Sequence, residues 1–254
     1  MSKTARRHPW ELARLQVVFS LIRKHCQVLV DSQCLCLDLG CGDTFLVDWL
    51  AEKMPRGSFV AVDTAFDRET LEHLRQALGG GRIELYDSLA EAEKSAQRAA
   101  DLVLLLDVLE HIEDDVSFLV GLQASSFIAD GTLFLITVPA FRMLFSSHDV
   151  FLEHKRRYNR SSLRCCVERA GLEVIESGYF FHILWGLRIF QVLLEKITRP
   201  RRTGTQVGSW EGKPSVTTLL EYLLLLDFRV SVLLKRLRLN LPGLSVYMLC
   251  KKPA

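Results

Sequence analysis

In Leu37-Asp38-Leu39-Gly40-Cys41-Gly42-Asp43-Thr44, two glycines follow an apolar run and precede a helical one. Glycines at such a junction let backbone amides approach a ligand closely, which points to a nucleotide cofactor. Asp63 closes the next apolar run, about twenty residues further on, where a carboxylate accepts hydrogen bonds from both hydroxyls of a ribose. A dinucleotide fingerprint G-x-G-x-x-G needs glycine at position 45, where the chain has Phe45. A nicotinamide oxidoreductase is thereby disfavoured. No G-K-[ST] follows the glycines, so a phosphate-binding P-loop is excluded.

These residues need a scaffold. Short Val/Leu/Ile runs at 35–39, 58–63, 82–86, 102–106 and 132–138 alternate with helical patterns at 45–53, 68–78, 90–99 and 115–129. That alternation predicts a parallel sheet covered on both faces, a doubly wound α/β fold. After Pro139 come a polar and aromatic loop (140–159), a helix (161–170) and a strand near 171–179, with a last strand far away at 244–250. The chain has 254 residues, half of them apolar and a quarter charged, and a net charge of +2. Disorder, collagen and coiled coil are excluded, and no global field argues for nucleic acid. Seven cysteines without a secretory spacing point to a reducing cytosol. Residues 1–30 read as an N-terminal helical region, amphipathic from Pro9, with Leu12, Leu15, Val18, Phe19 and Ile22 on one face.

Gly40 and Gly42, with an acid ahead of them at Asp38 and Asp63 at the second strand end, give the chain a form that resembles the class I S-adenosylmethionine-dependent methyltransferases. The segment Leu106-Asp107-Val108-Leu109-Glu110-His111 resembles the "DVLEH" stretch of that family. The resemblance covers about residues 30–180 and the final strand. It implies a Rossmann-like sheet with an antiparallel edge and S-adenosyl-L-methionine as cofactor. Carried over by position, Asp38 supports the loop and the methionine end, Gly40 and Gly42 lie against the cofactor, Asp63 holds the ribose, and Asp87 stands near the adenine. Asp107 lies in the segment after the fourth strand. Thr44 stands where the family has a third glycine; a β-branched residue is disfavoured at positive φ, so the expectation is another loop conformation or use of Thr44 as a hydrogen-bond donor.

Methyl transfer is an in-line displacement, and an enzyme contributes mainly by aligning the acceptor and excluding water. A hydroxyl acceptor benefits from a base, for which histidine has the suitable pKa. His148, His154 and His111 are the candidates. The run from His148 to Tyr158 resembles a pattern, H-D-x-x-x-x-H-x-R-R-Y, of methyltransferases in bacterial cell-envelope glycan and lipid pathways. Under that resemblance Asp149, Arg156, Arg157 and Tyr158 belong to acceptor recognition, the arginines gripping an anionic group. The alternative is a surface loop tied to the sheet by Arg157 and Asp149. No metal site is expected: Cys34 and Cys36 lack a matching second pair, and Cys165-Cys166 reads as packing.

Residues 180–243 read as a helical insertion or lid within a single domain spanning 1–254. Apolar, aromatic helices at 180–197 and 216–239 flank a basic linker, with nine basic against four acidic residues between 195 and 239. Such a pair can lie on an anionic leaflet without spanning it, bringing the site to a lipid-linked acceptor; a packed lid or a homodimer interface is the alternative. The expected activity is methylation of an oxygen, or less readily a nitrogen, of an amphiphilic small molecule or lipid-linked saccharide. A non-catalytic membrane-associated protein of the same fold is the competing reading.

Overall fold

A computed structural model describes residues 7–78, 81–198, 210, 212–237 and 239–254, with the side chains of 195–198 left aside. The apolar runs become strands β1 (Leu35–Leu39), β2 (Ser58–Val62), β3 (Ile83–Tyr86), β4 (Leu102–Leu106) and β5 (Leu133–Pro139). Two more, β6 (Glu173–Phe180) and β7 (Ser245–Lys251), complete a seven-stranded sheet of order β3-β2-β1-β4-β5-β7-β6. The first five strands run parallel. β7 is antiparallel to both of its neighbours, β5 and β6. The last two strands thus form the antiparallel edge expected of the segments near 173–179 and 244–250, with β7 inside and β6 outermost.

β1 explains why the parallel strands read as continuous apolar runs. All five of its residues are buried. Cys36 faces one apolar layer and Leu35, Leu37 and Leu39 the other, because strand side chains alternate. The Cys36 layer receives α1 (Pro9–His25), α2 (Gln27–Asp31), α3 (Phe45–Lys53), α4 (Arg68–Leu78) and α10 (Pro214–Arg236). The opposite layer packs α5 (Leu89–Ser95), α6 (Asp115–Gln123) and α8 (Arg160–Arg169). α5 and α6 end four and six residues before the sequence pattern does; Ala96 and Ala124 cap them.

The loop after β5 has more structure than its polarity indicates. It holds a 3-10 turn at Arg142–Leu144 and the short helix α7 (Ser147–Phe151). Ser146 and Asp149 form a reciprocal capping box on α7. Beyond β6, α9 (His182–Thr198) and α10 form the insertion, and the Asp227 carboxylate of α10 accepts from the His182 amide at the start of α9 (2.7 Å). The basic linker expected at 198–215 falls mostly outside the described residues. Cys166 is buried as expected of packing, whereas Cys165 is exposed.

Candidate active site

The carboxyl ends of β1 and β4 meet beneath α1 and leave a cleft of about 670 Å3, part of it open to solvent. Asp38, Gly40, Cys41, Gly42, Asp43 and Leu106 line it from the sheet side. Gly40 and Gly42 both have positive φ, +77° and +59°. A Cβ at Gly40 would stand 2.7 Å from Val108 Cγ2, so the loop can lie against the segment after β4 only with glycine there. A Cβ at Gly42 would meet nothing within 4 Å, which leaves its backbone facing open space.

Thr44 corrects the expectation for the third motif position. It takes the glycine-like conformation itself, φ 64° and ψ 1°, as the N-cap of α3, and its side chain makes no capping hydrogen bond. The cost of a left-handed β-branched residue, roughly 1–2 kcal/mol, is carried by the folded structure. Burial of the side chain, only 3% exposed, offsets part of it.

Asp63 holds the loop from β2. Its two oxygens accept from the amides of Gly42 (2.7 Å) and Ala65 (2.9 Å), and each oxygen retains a lone pair for a further donor. Asp38 is 2% exposed, and burial pushes its carboxyl up to about 7, an effect opposed by Arg14 and reinforced by Asp63. Asp87 is exposed beyond β3 and accepts from the Ser88 hydroxyl (3.1 Å). It does not line the cleft. Asp107, with φ 58°, bonds Arg14 (2.8 Å) and the Thr137 hydroxyl (3.3 Å).

Arg14 belongs to a group that sequence reasoning missed. α1 roofs the cleft with Trp10, Glu11 and Arg14, and Arg7 closes it by pairing with Asp43 while stacking over Phe45, 4.1 Å from the ring centroid. The only signal in the sequence is that Glu11 and Arg14 lie on the polar side of an amphipathic helix, which is where most charged residues lie.

The second cluster is built around Asp149. This carboxylate is fully buried and accepts from Arg157 Nε (2.6 Å), His154 Nδ1 (3.0 Å) and the Ser146 amide (2.9 Å). Burial alone would raise its pKa, but the hydrogen bonds from His154 and Arg157 outweigh that and hold the carboxyl well below its usual range. Arg157 also donates to the Ala140 carbonyl (3.1 Å). Tyr158 is buried and donates to Asp115 (2.6 Å). Arg156 reaches the same Asp115 (3.3 Å). Acceptor recognition was expected of Asp149, Arg156, Arg157 and Tyr158. Asp149, Arg157 and Tyr158 face inward and tie the loop together, as the alternative reading of Asp149 and Arg157 has it, while the Arg156 side chain stays 35% exposed.

What that geometry presents is a pair of imidazoles. His154 stands edge-on to His111, with ring centroids 4.8 Å apart. The Lys155 amide donates to the Glu110 carbonyl (2.7 Å), which fixes the loop against the 3-10 turn Leu109–His111 after β4. His148, on α7, has its pKa lowered by burial and then by Arg188. His111 is lowered by burial and then by His154. The structure thus brings two of the three candidate histidines into one contact, with Glu110 beside them.

Residues 26–177, well over half of the chain, match the model of a family described as a methyltransferase domain. No curated protein sequence matches. Among solved structures, the chain is similar to an S-adenosylmethionine-dependent methyltransferase from Archaeoglobus fulgidus. Identity there is 16%, coverage is 94% of each chain, and the TM-score is 0.51. It is also similar to the [4+2]-cyclase SpnF (13% identity, 93% of this chain and 81% of that one, TM-score 0.53). Likeness at such identities is likeness of fold, and the cyclase is a reminder that a fold hosts more than one chemistry. Matched over more than half of its length, the chain belongs to the methyltransferase-domain family and is an S-adenosylmethionine-dependent methyltransferase.

Proposed function

We propose that the enzyme methylates a hydroxyl oxygen of an amphiphilic acceptor, a lipid-linked saccharide or similar molecule, drawn from an anionic membrane surface. The observation that carries this reading is the position of α9. On one side Arg188 donates to the Ser146 hydroxyl and lies 3.8 Å from Asp149, so the helix rests on the loop that holds His154. On the other, Ile183, Leu187, Phe190 and Leu193 are each more than half exposed. α10 adds Leu219, Tyr222, Leu226, Val230 and Leu233, with Arg229 and Arg236 nearby in the sequence. An apolar face with basic residues suits adsorption to an anionic leaflet. Among the described residues no helix is long and apolar enough to cross a membrane.

The cleft fits the cofactor. Gly42 offers backbone facing unfilled space, Asp63, bonded to the Gly42 amide, has lone pairs left for ribose hydroxyls, and Asp38 and Arg14 line the cleft for the amino-acid portion. The bound cofactor supplies an electrophilic methyl group. The chain aligns the acceptor: Asp149 accepts the His154 Nδ1–H hydrogen bond and so fixes the ring edge-on to His111, on the acceptor side of the cleft. Arg157 and Arg156 keep the loop in register.

Calorimetric titration with S-adenosylhomocysteine tests the cofactor site. Micromolar binding is expected, weakened at least tenfold in Asp63→Ala; equal affinity in the two proteins would overturn the assignment. Flotation with anionic vesicles tests the acceptor's source. The wild type should float at low salt and Phe190→Glu/Leu187→Glu should not; a wild type that stays in the soluble fraction would refute the membrane reading.

A further inference from the structure

We infer that Glu110, His111 and His154 form a binding site for one divalent transition-metal ion, whose open positions take the acceptor oxygen. Ion and acceptor would meet at the carboxyl end of β4, beside the cofactor cleft. The role in catalysis rests on the reading above; the existence of the site does not.

The ligand set comes from the described residues alone. One carboxylate oxygen of Glu110 and one nitrogen from each imidazole all lie within 4.8 Å of one another. Donors on a common ion at roughly 2.0–2.2 Å sit closer than this; the exposed His111 ring can rotate inward, while the His154 side chain, 9% exposed, stays held by Asp149. Glu110 itself is 0% exposed, and neither carboxylate oxygen has a hydrogen-bond partner. A fully buried carboxylate without partners is costly, and such groups in native proteins are paired or coordinate metals. Nearby cations do not fill the gap: Arg14 is bonded to Asp107 and Arg157 to Asp149.

The outer contacts are those of metal-binding histidines. His154 donates its Nδ1–H to Asp149, which is held ionised against Arg157 and can only accept, so Nε2 is the nitrogen left to face an ion. Glu153 has φ 59°, a left-handed turn that places the next residue, His154, over His111. Two imidazoles and one carboxylate suit manganese, iron, cobalt or zinc better than magnesium or calcium, and leave coordination positions open. A hydroxyl bound there becomes more acidic, its proton passing to water, which favours oxygen over nitrogen as the methylated atom.

The full chain, freed of metal with a chelator, is titrated with Co2+ and followed by visible absorption, with Zn2+ as competitor and Mg2+ as control. S-Adenosylhomocysteine affinity is measured on the same samples. One equivalent of Co2+ should bind, displaced by Zn2+ and not by Mg2+, at least tenfold more weakly in Glu110→Gln and in His154→Asn, with S-adenosylhomocysteine affinity kept. Should either of those variants fail to fold, His111→Asn, at an exposed position, decides by the same criterion. Co2+ binding without S-adenosylhomocysteine binding would uphold the ion site and refute the cofactor assignment. No saturable Co2+ binding, or binding equal in all variants, overturns the proposal.

Discussion

At Asp38 the needs of stability and binding pull apart. Its carboxyl titrates near 7 in the folded chain because it is buried, against 3.8 when exposed. The folded state therefore holds a proton that the unfolded chain releases, and stability falls as pH rises from about 4 to about 7. Asp38→Asn should abolish that fall. Measured by denaturant melts, the variant should gain about 2–4 kcal/mol on the wild type in going from pH 4 to pH 8, while binding S-adenosylhomocysteine at least tenfold more weakly. Gly40→Ala, forced against Val108 at positive φ, should lose more stability than Gly42→Ala, whose added methyl meets open space; comparison of their melting temperatures checks this. The acid and glycines of this loop were legible because their spacing is local. Arg14 and Trp10 were not, since nothing short of the folded structure brings α1 over the cleft. Glu110 was visible as a residue type but not as a buried, unpartnered carboxylate, and its significance depends on burial.

Secondary structure was most legible where burial is uniform. β1 and β4 match their apolar runs because every residue in them is buried on one face or the other. α7 escaped notice because five residues carry no helical period, although Ser146 and Asp149 have the spacing of its capping box. The elements around β6 are joined by a side chain whose role the sequence conceals. Glu176 bonds Lys24 of α1 (2.7 Å), Tyr247 of β7 (2.8 Å) and Lys235 of α10. Burial would raise its pKa, but hydrogen bonds from Lys235, Lys24 and Tyr247 bring it down from 4.5 to about 2. A depressed carboxylate stabilises above its unfolded pKa and ceases to do so as pH falls through the folded value. Glu176→Gln should therefore cost about 3 kcal/mol at pH 7 and almost nothing at pH 2, as read from chemical denaturation at the two pH values. At Gly178 an added Cβ would lie 2.7 Å from the Tyr247 ring. Gly178→Ala should push that ring off its partners and lower the melting temperature by several degrees.

For the whole molecule, the doubly wound plan could be read from the alternation of runs, whereas the antiparallel edge of the last two strands came only from the family resemblance, because strand order is a tertiary property. β7 lies between β5 and β6, although α9 and α10 separate it from β6 in the chain. β6 makes its ladder with β7 alone, so it has no hydrogen-bonded neighbour until β7 is in place. Loop-closure entropy then predicts assembly of the sheet in two stages, β1 to β5 through short crossovers and β7 with β6 through a long closure, with the slower stage waiting on the insertion. Pulse-labelling hydrogen exchange during refolding should show the amides of β6 and β7 gaining protection together, after those of β1 and β4. On that prediction, the helices that meet the membrane in the proposed function are also the tether whose closure times the end of folding.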